Sequence, residues 1–313
     1  MNDNNLNITN SESEVDLLVL LRILIVGKWT IMCLTTIFSI VGIIISLLLP
    51  NIYESKAILV STSTNNQSSL LQNYGTLANI AGIDIPNEGA ESNALKALEK
   101  LNTLSFFESN IMPNIFLPNL MGLKYWNAES NSLEYDNKIY NLKTNSWVRN
   151  YSYPQKLIPS AQESFNVFQN NHLSIYTDQK TNFITIKIKH QSPYIAKKWT
   201  ELFVNEINSF YRIKDKNEAE KAINYLNGLI ANTNLSEIRQ VIASLLQQET
   251  QKLTLIMAND YYVFEYIDPP AVMEEKSLPS RALICILAAL LGVIFSTMFV
   301  LIMHYISNRK LDT

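Results

Sequence analysis

The chain has 313 residues, 47% of them hydrophobic, a net charge of −3 and two cysteines. That charge offers no basic domain to nucleic acid, which is excluded as a partner. The length would allow two domains, but the middle has no linker-like break. One large domain or two intimate subdomains are expected there.

Met1 to Glu14 (MNDNNLNITNSESE) is rich in Asn, Ser and Glu and reads as a disordered tail. Val15 to Trp29 is apolar but broken by Asp16, Arg22 and Lys28. It reads as an interfacial helix with Trp29 at headgroup depth. Thr30 to Leu49 follows with about 20 uncharged residues, the first transmembrane helix. The polar lead and the long apolar core, with no small-x-small site after Leu49, argue for an uncleaved anchor and not a signal peptide. Ile52 to Ser61 is rich in β-formers and reads as a strand leaving the membrane. Thr62 to Ser92 is polar, with Gly75, Gly82 and Gly89, and suggests loops or short helices.

Asn93 to Asn110 places Leu95, Leu98, Leu101 and Phe106 at helical spacing. From Ile111 to Ser160 regular periodicity fails: Pro113, Pro118, Pro154 and Pro159 punctuate a region holding Trp126, Trp147, Tyr151 and Tyr153. Those aromatics could line a sugar-binding surface, but packing under long loops is the preferred reading. Leu173 to Tyr176 and Phe183 to His190 frame a turn and form an antiparallel hairpin, with Ile184, Ile186 and Ile188 on one face. Ser192-Pro193 opens a helix of about forty residues to about Thr233, packing first through Ile195, Trp199, Phe203, Ile207 and Phe210. Its centre, Lys214 to Lys221, is charged all round. Lys214, Lys216, Glu218 and Lys221 should therefore face solvent, a shared lumen or a neighbouring subunit. Ile223, Leu226, Leu229 and Ile230 then resume an apolar face. Asn234 with Glu237 resembles a capping box for a second helix to about Met257, with a buried stripe of Ile238, Val241, Leu245 and Ile256. Tyr261 to Ile267 is a last strand, and the link bearing Pro269, Pro270 and Pro279 cannot be regular throughout.

Ala282 to Met303 closes the pattern, about 22 residues without a charge. At ~1.5 Å per residue such a helix covers the ~30 Å hydrocarbon core of a bilayer. The expected layout is 1–29 cytoplasmic tail and interfacial helix, 30–49 first span, 50–281 outer domain, 282–303 second span and 304–313 cytoplasmic tail. Arg22, Lys28, Arg309 and Lys310 stand against Lys56, Lys276 and Arg281 on the other side. Because long loops translocate regardless of charge, both termini are placed in the cytoplasm. Cys33 and Cys285 each lie near the first end of a span, so in an antiparallel pair they could not bridge.

No catalytic constellation is evident. Gly27-Lys28-Trp29 lacks the rest of a phosphate loop, and Glu274-Glu275 reads as solvated charge. His172 and His190 stand alone in sequence and read as surface or strand histidines, so no metal or cofactor is expected. About ten residues follow Met303, too few for a cytoplasmic kinase or cyclase domain. Ala288, Gly292 and Ser296 recur every four residues on the second span, and Ser39, Gly42 and Ser46 form a comparable strip on the first. Both are small-residue faces that permit close helix approach. On this reading Gly292→Leu disrupts packing, while Gly292→Ala is nearly silent.

The combined order of features resembles the bacterial chain-length determinant proteins, the Wzz-type polysaccharide co-polymerases. The resemblance rests on D-L-L-x-L-L-R-I-L with the Lys28-Trp29 lead, YESKAILV, SPYIAKKWTELFVNEIN, YVFEYIDPP, the proline-bearing link and the glycine-containing second span. It covers both ends and about Leu173 to Tyr305. The link is thinner in proline than is usual for the family. What the resemblance implies is an α+β fold: two transmembrane helices flanking a periplasmic domain with a membrane-proximal sheet and a long projecting helix. It further implies an inner-membrane homo-oligomeric ring acting with a membrane-embedded polysaccharide polymerase on lipid-linked polysaccharide, setting the chain length of O antigen or a related polymer without catalysis. A capsule or exopolysaccharide export partner, an adaptor for a separate tyrosine kinase, and a periplasmic ligand sensor remain as alternatives.

Overall fold

The computed structural model describes residues 17–62 and 91–309. The expected tail Met1–Glu14 and nearly all of the soft segment Thr62–Ser92 lie outside them. The chain divides into two units, Met1–Asn51 with Ser277–Thr313, and Ile52–Lys276.

The first unit opens with α1 (Leu17–Val26) and α2 (Lys28–Leu48). After a short connection the second unit begins with β1 (Tyr53–Ser61), whose buried positions Ser55, Ala57 and Leu59 alternate as a one-sided strand requires. It pairs antiparallel with β7 (Ile184–His190) and with β8 (Phe264–Asp268). With β6 (Leu173–Thr177), the four-stranded sheet runs β6-β7-β1-β8. The hairpin expectation is met: Leu173 pairs with Ile188, and Ile184, Ile186 and Ile188 are buried. On the other face Glu54 lies 2.7 Å from Lys187 and 3.9 Å from Lys189, a cross-strand charge pairing.

Between β1 and β6 the chain forms α3 (Glu91–Leu101), a π-helical turn over Phe107–Ile111 and α4 (Leu117–Met121). The α3 face differs from the leucine spacing read above. Ala94, Ala97 and Leu101 are buried and Leu95 is exposed, because small alanines let this helix approach its neighbours closely. The supposedly irregular stretch after it holds two hairpins, β2 (Leu123–Asn127) with β3 (Ser132–Tyr135), and β4 (Tyr140–Asn141) with β5 (Ser146–Trp147).

Their turns share one chemistry with the β6–β7 turn. Asn127, Asn141 and Asp178 each accept two backbone N–H groups through a side-chain oxygen, and four residues later Asn131, Asn145 and Asn182 adopt φ of 46°, 51° and 56°. Asn tolerates this left-handed region better than most residues do. The repeated N/D-x-x-S/T-N spelling is therefore a legible turn signal. Arg149 then pins the proline-rich segment, donating to the carbonyls of Lys156 (2.6 Å) and Leu157 (3.0 Å) and to the Glu163 carboxylate. Glu163 lies in α5 (Ala161–Val167), and the guanidinium holds its carboxyl below the usual range.

The long helix α6 (Pro193–Asn232) spans 40 residues, as the sequence implied. Trp199, Phe203, Val204 and Ile207 pack on the sheet, and Phe203 stacks on Phe168 with centroids 5.0 Å apart. The charged centre is not charged all round in effect. Asp215 is buried and accepts from the Tyr262 hydroxyl at 2.6 Å. Burial and that bond hold the Tyr262 hydroxyl well above its ordinary pKa. Three residues connect α6 to α7 (Ser236–Ala258), which folds back along it. The capping box does not form: the helix starts one residue beyond Leu235 without a side-chain cap. Of the expected stripe only Ile256 is buried. Ile238, Val241 and Leu245 are exposed, while Ile242 and Ile256 face inward. Finally α8 (Arg281–Arg309) returns to the first unit.

Candidate functional site

Both α2 and residues Arg281–Ile306 of α8 are long and apolar enough to cross a membrane. They pack antiparallel. An added Cβ on Gly42 would lie 2.4 Å from the Ala288 Cβ, and one on Gly292 would lie 2.9 Å from the Phe38 Cβ and 3.2 Å from the Thr35 Cα. Ser296 is fully buried, with its hydroxyl 3.3 Å from that of Thr35, and Phe38 stacks on Phe295 at 5.9 Å. Near the helix ends, Arg281 donates to the Asn51 side chain at 3.2 Å.

The structure thus brings Gly42 together with Ala288, and Gly292 and Ser296 together with Thr35 and Phe38. Ser46 is also buried. Ser39 instead donates to the Thr35 carbonyl and borders an open groove with Lys28, Met32 and Thr36. Thr35 and Phe38, unmarked in the sequence reading, occupy the level of Gly292. Their positions seven and four residues before Gly42 fall on its helical face.

Close approach makes the glycines intolerant even of a methyl group. Gly292→Ala must displace the Phe38 Cβ and crowds the Thr35 backbone, so the near-silence expected above gives way to a measurable loss. In a chain with Cys33→Ser and Cys285→Ser, disulfide formation between Asn51→Cys and Arg281→Cys reports span pairing. Gly42→Leu and Gly292→Leu are expected to lower its yield sharply, at a packing loss of about 1–2 kcal/mol each, with Gly292→Ala intermediate. Leu290→Ile, on the exposed side, serves as the control. Equal yields in all four would refute the tight pairing.

In the second unit, Lys214 and Lys216 pair with Glu218 and Glu220 at 3.8 Å each, and Lys214, Glu218 and Lys221 are exposed. Leu235, just before α7, and Ile238, Val241 and Leu245 along it leave an apolar strip open to solvent. Of the link prolines, Pro270 is buried and Pro269 exposed. Just beyond them the Ser55 hydroxyl donates to the Ala271 carbonyl at 2.9 Å.

His190 is a strand histidine, as one of the two expected readings had it, but it is buried and paired with the half-buried His172. Their rings lie 5.9 Å apart and both contact Trp199. Ser192 N–H donates to His190 Nδ1 at 2.9 Å, so His190 is neutral with its proton on Nε2, facing the Asn119 carbonyl at 3.3 Å. Burial, reinforced by His172, pushes the His190 pKa down to about 3. Burial also lowers that of His172, whose Nδ1 lies 2.7 Å from the Lys189 carbonyl. Among the described residues no group of His, Cys, Asp and Glu is placed to hold a metal ion.

Paired spans, a sheet entered directly from the first of them and a forty-residue helix form the arrangement to be matched. A family profile matches residues 13–102, covering that first span and the entering strand. The match is to Wzz, chain length determinant protein. The Wzz resemblance read from the sequence holds. Two solved structures are also similar. A full-length bacterial polysaccharide co-polymerase is 14% identical, with a TM-score of 0.40, over 94% of this chain and 98% of its own. A fragment of WzzB, polysaccharide co-polymerase from Salmonella Typhimurium, is 13% identical, with a TM-score of 0.32, over 73% and 100%. No curated protein matches.

Proposed function

We propose that this chain regulates the length of a surface polysaccharide, O antigen or a related polymer, without catalysing its synthesis. It does so as a homo-oligomeric ring in the bacterial inner membrane. Both termini are cytoplasmic and Ile52–Lys276 is periplasmic. Its partners are a membrane-embedded polysaccharide polymerase and the lipid-linked polysaccharide itself. The Wzz match over residues 13–102 carries this reading.

The geometry supports assembly independently. Leu235 and Val241 are each 60% exposed, beside Ile238 and Leu245, a stripe too continuous for a helix meant only for water. A second copy covering it through an unlike face would extend into a ring if the rotation closes. The decisive test is a gel of surface polysaccharide from cells with and without the gene. Deletion is expected to replace a preferred length by a broad, mostly short distribution; an unchanged ladder would overturn the reading. Val241→Lys is expected to shrink the detergent-extracted particle in sedimentation and to broaden the ladder at normal abundance. A particle of unchanged size would remove the α7 stripe from the assembly surface.

A further inference from the structure

One cleft of about 270 Å³ in the second unit is lined by Tyr53, Trp126, Tyr194, Met273 and Glu274, with small apolar side chains between them. Four separate segments converge there: the start of β1, the β2–β3 hairpin, the first turn of α6 and the link after β8. Each is fixed from elsewhere. Tyr53 is held by its register with His190, and the Trp126 indole N–H donates to the Asn131 side chain at 2.9 Å. Pro193 sets the backbone just before Tyr194. The link is anchored at Ala271 by the buried Ser55 hydroxyl, three residues before Glu274.

The rings meet at steep angles. Tyr53 and Trp126 stand 5.5 Å apart at 84°, and Trp126 and Tyr194 stand 6.5 Å apart at 61°. A pyranose ring stacks on a broad flat platform, which rings so steeply inclined do not make. Rings at such angles instead form the walls of a box. The lining carries one carboxylate and no Lys, Arg or His. Aromatic faces attract cations through their quadrupole, and most strongly cations that shed water easily. The Glu274 carboxylate adds a direct Coulomb attraction at the mouth. Sodium or potassium would have to exchange a tight hydration shell for ring faces, whereas an alkylammonium group spreads its charge over apolar carbons that match this lining.

We infer that this cleft binds a methylated organic ammonium group, held between Tyr53, Trp126 and Tyr194 and neutralised by Glu274. Such a group is carried by the headgroup of a choline phospholipid or by a water-borne methylated amine. The shared chemistry is the same.

The test uses the full chain in phosphatidylglycerol vesicles, titrated with tetramethylammonium chloride against sodium chloride at matched ionic strength. Tryptophan fluorescence should change saturably, and Trp126→Phe should abolish the change while leaving the fold intact by circular dichroism. Tyr194→Ala and Glu274→Gln should each weaken binding by about 5-fold or more, the range set by loss of one cation–π or charge contact. Both side chains lie at the surface, so neither variant endangers the core. Adding phosphatidylcholine to the vesicles separates the sources. A weaker apparent affinity assigns the site to the lipid headgroup, and an unchanged one assigns it to a soluble amine. The proposal is overturned by a linear, unsaturable response, by equal affinity in Glu274→Gln and Tyr194→Ala, or by a saturable response to glucose in place of tetramethylammonium.

Discussion

Replacing Asn208 by alanine is expected to lower the melting temperature of the Ile52–Lys276 unit by roughly 10 °C, at a loss of about 3–5 kcal/mol. The carboxamide is buried on α6 and works as a three-way clamp. Its oxygen accepts the N–H groups of Val263 and Phe264, both at 2.9 Å, and its nitrogen donates to the Phe264 carbonyl at 2.9 Å. Alanine leaves three backbone groups at the entrance of β8 without these partners in a dry environment. Each such group costs about 1–3 kcal/mol, and partial relaxation keeps the sum below the maximum. Arg212 and Asp215 extend the clamp along the same helix face. Arg212 reaches the carbonyls of Asn259 and Asp260, and Asp215 holds Tyr262. Ser209→Ala, on the exposed neighbouring position, should stay within about 0.5 kcal/mol of the parent. Thermal unfolding followed by tryptophan fluorescence decides between them. A shift for Asn208→Ala as small as that of Ser209→Ala would refute the clamp.

Acid is expected to destabilise the same unit through His190. Its pKa falls from an unfolded value near 6.5 to about 3 in the fold, chiefly because it is buried, with His172 adding to the effect. Between those values the unfolded chain takes up a proton that the folded chain refuses. The folded state is therefore favoured above pH 6.5, and this advantage shrinks as pH falls toward 3. The slope approaches about 1.4 kcal/mol per pH unit for one histidine, so the loss between pH 6.5 and 4.5 is on the order of 2 kcal/mol. His172 acts in the same direction. His190→Asn retains an acceptor for the Ser192 N–H. It should be less stable than the parent at pH 7, yet its stability should decline more gently between pH 6.5 and 4.5. Parallel urea-midpoint curves for the two proteins over that range would show that the histidine does not titrate on unfolding.

The spans and the extent of α6 were legible because their signals are local. A run of about 20 uncharged residues has few other uses, and Ser192-Pro193 marks a helix start whatever surrounds it. The β6–β7 hairpin was equally plain in its alternation. Its register also sets the histidine pair: Leu173 opposite Ile188 puts His172 beside Lys189, and so close to His190. Which face of α7 is covered is not legible in the sequence, for a physical reason. Period 3.6 shows that a helix has an apolar side, but not whether its own domain covers that side. Ile242 and Ile256 turn inward, while Ile238, Val241 and Leu245 do not. The Asn208 clamp is not legible in the sequence, because hydrophobic patterning treats a polar residue on an inner face as a defect, although here it is the attachment point. At the spans, the small residues were visible, but Thr35 and Phe38 emerge only once the partner helix is in place.

The bond from Ser55 to the Ala271 carbonyl bears on chain entropy. β1 and β8 are adjacent and antiparallel, so the Ile52–Lys276 unit receives and releases its chain at neighbouring points. An unfolded connection of that length would oppose the meeting of α2 and α8 with a closure penalty of roughly 5 kcal/mol; a connection of a dozen or so residues carries about half of that. Once the outer unit has folded, its ends are already together, and the two spans behave as though joined by a short tether. Folding outside the spans therefore raises their effective concentration for each other. The small-residue faces at Gly42 and Gly292 then decide how closely the two helices pack, and the folded domain decides how often their connecting ends meet.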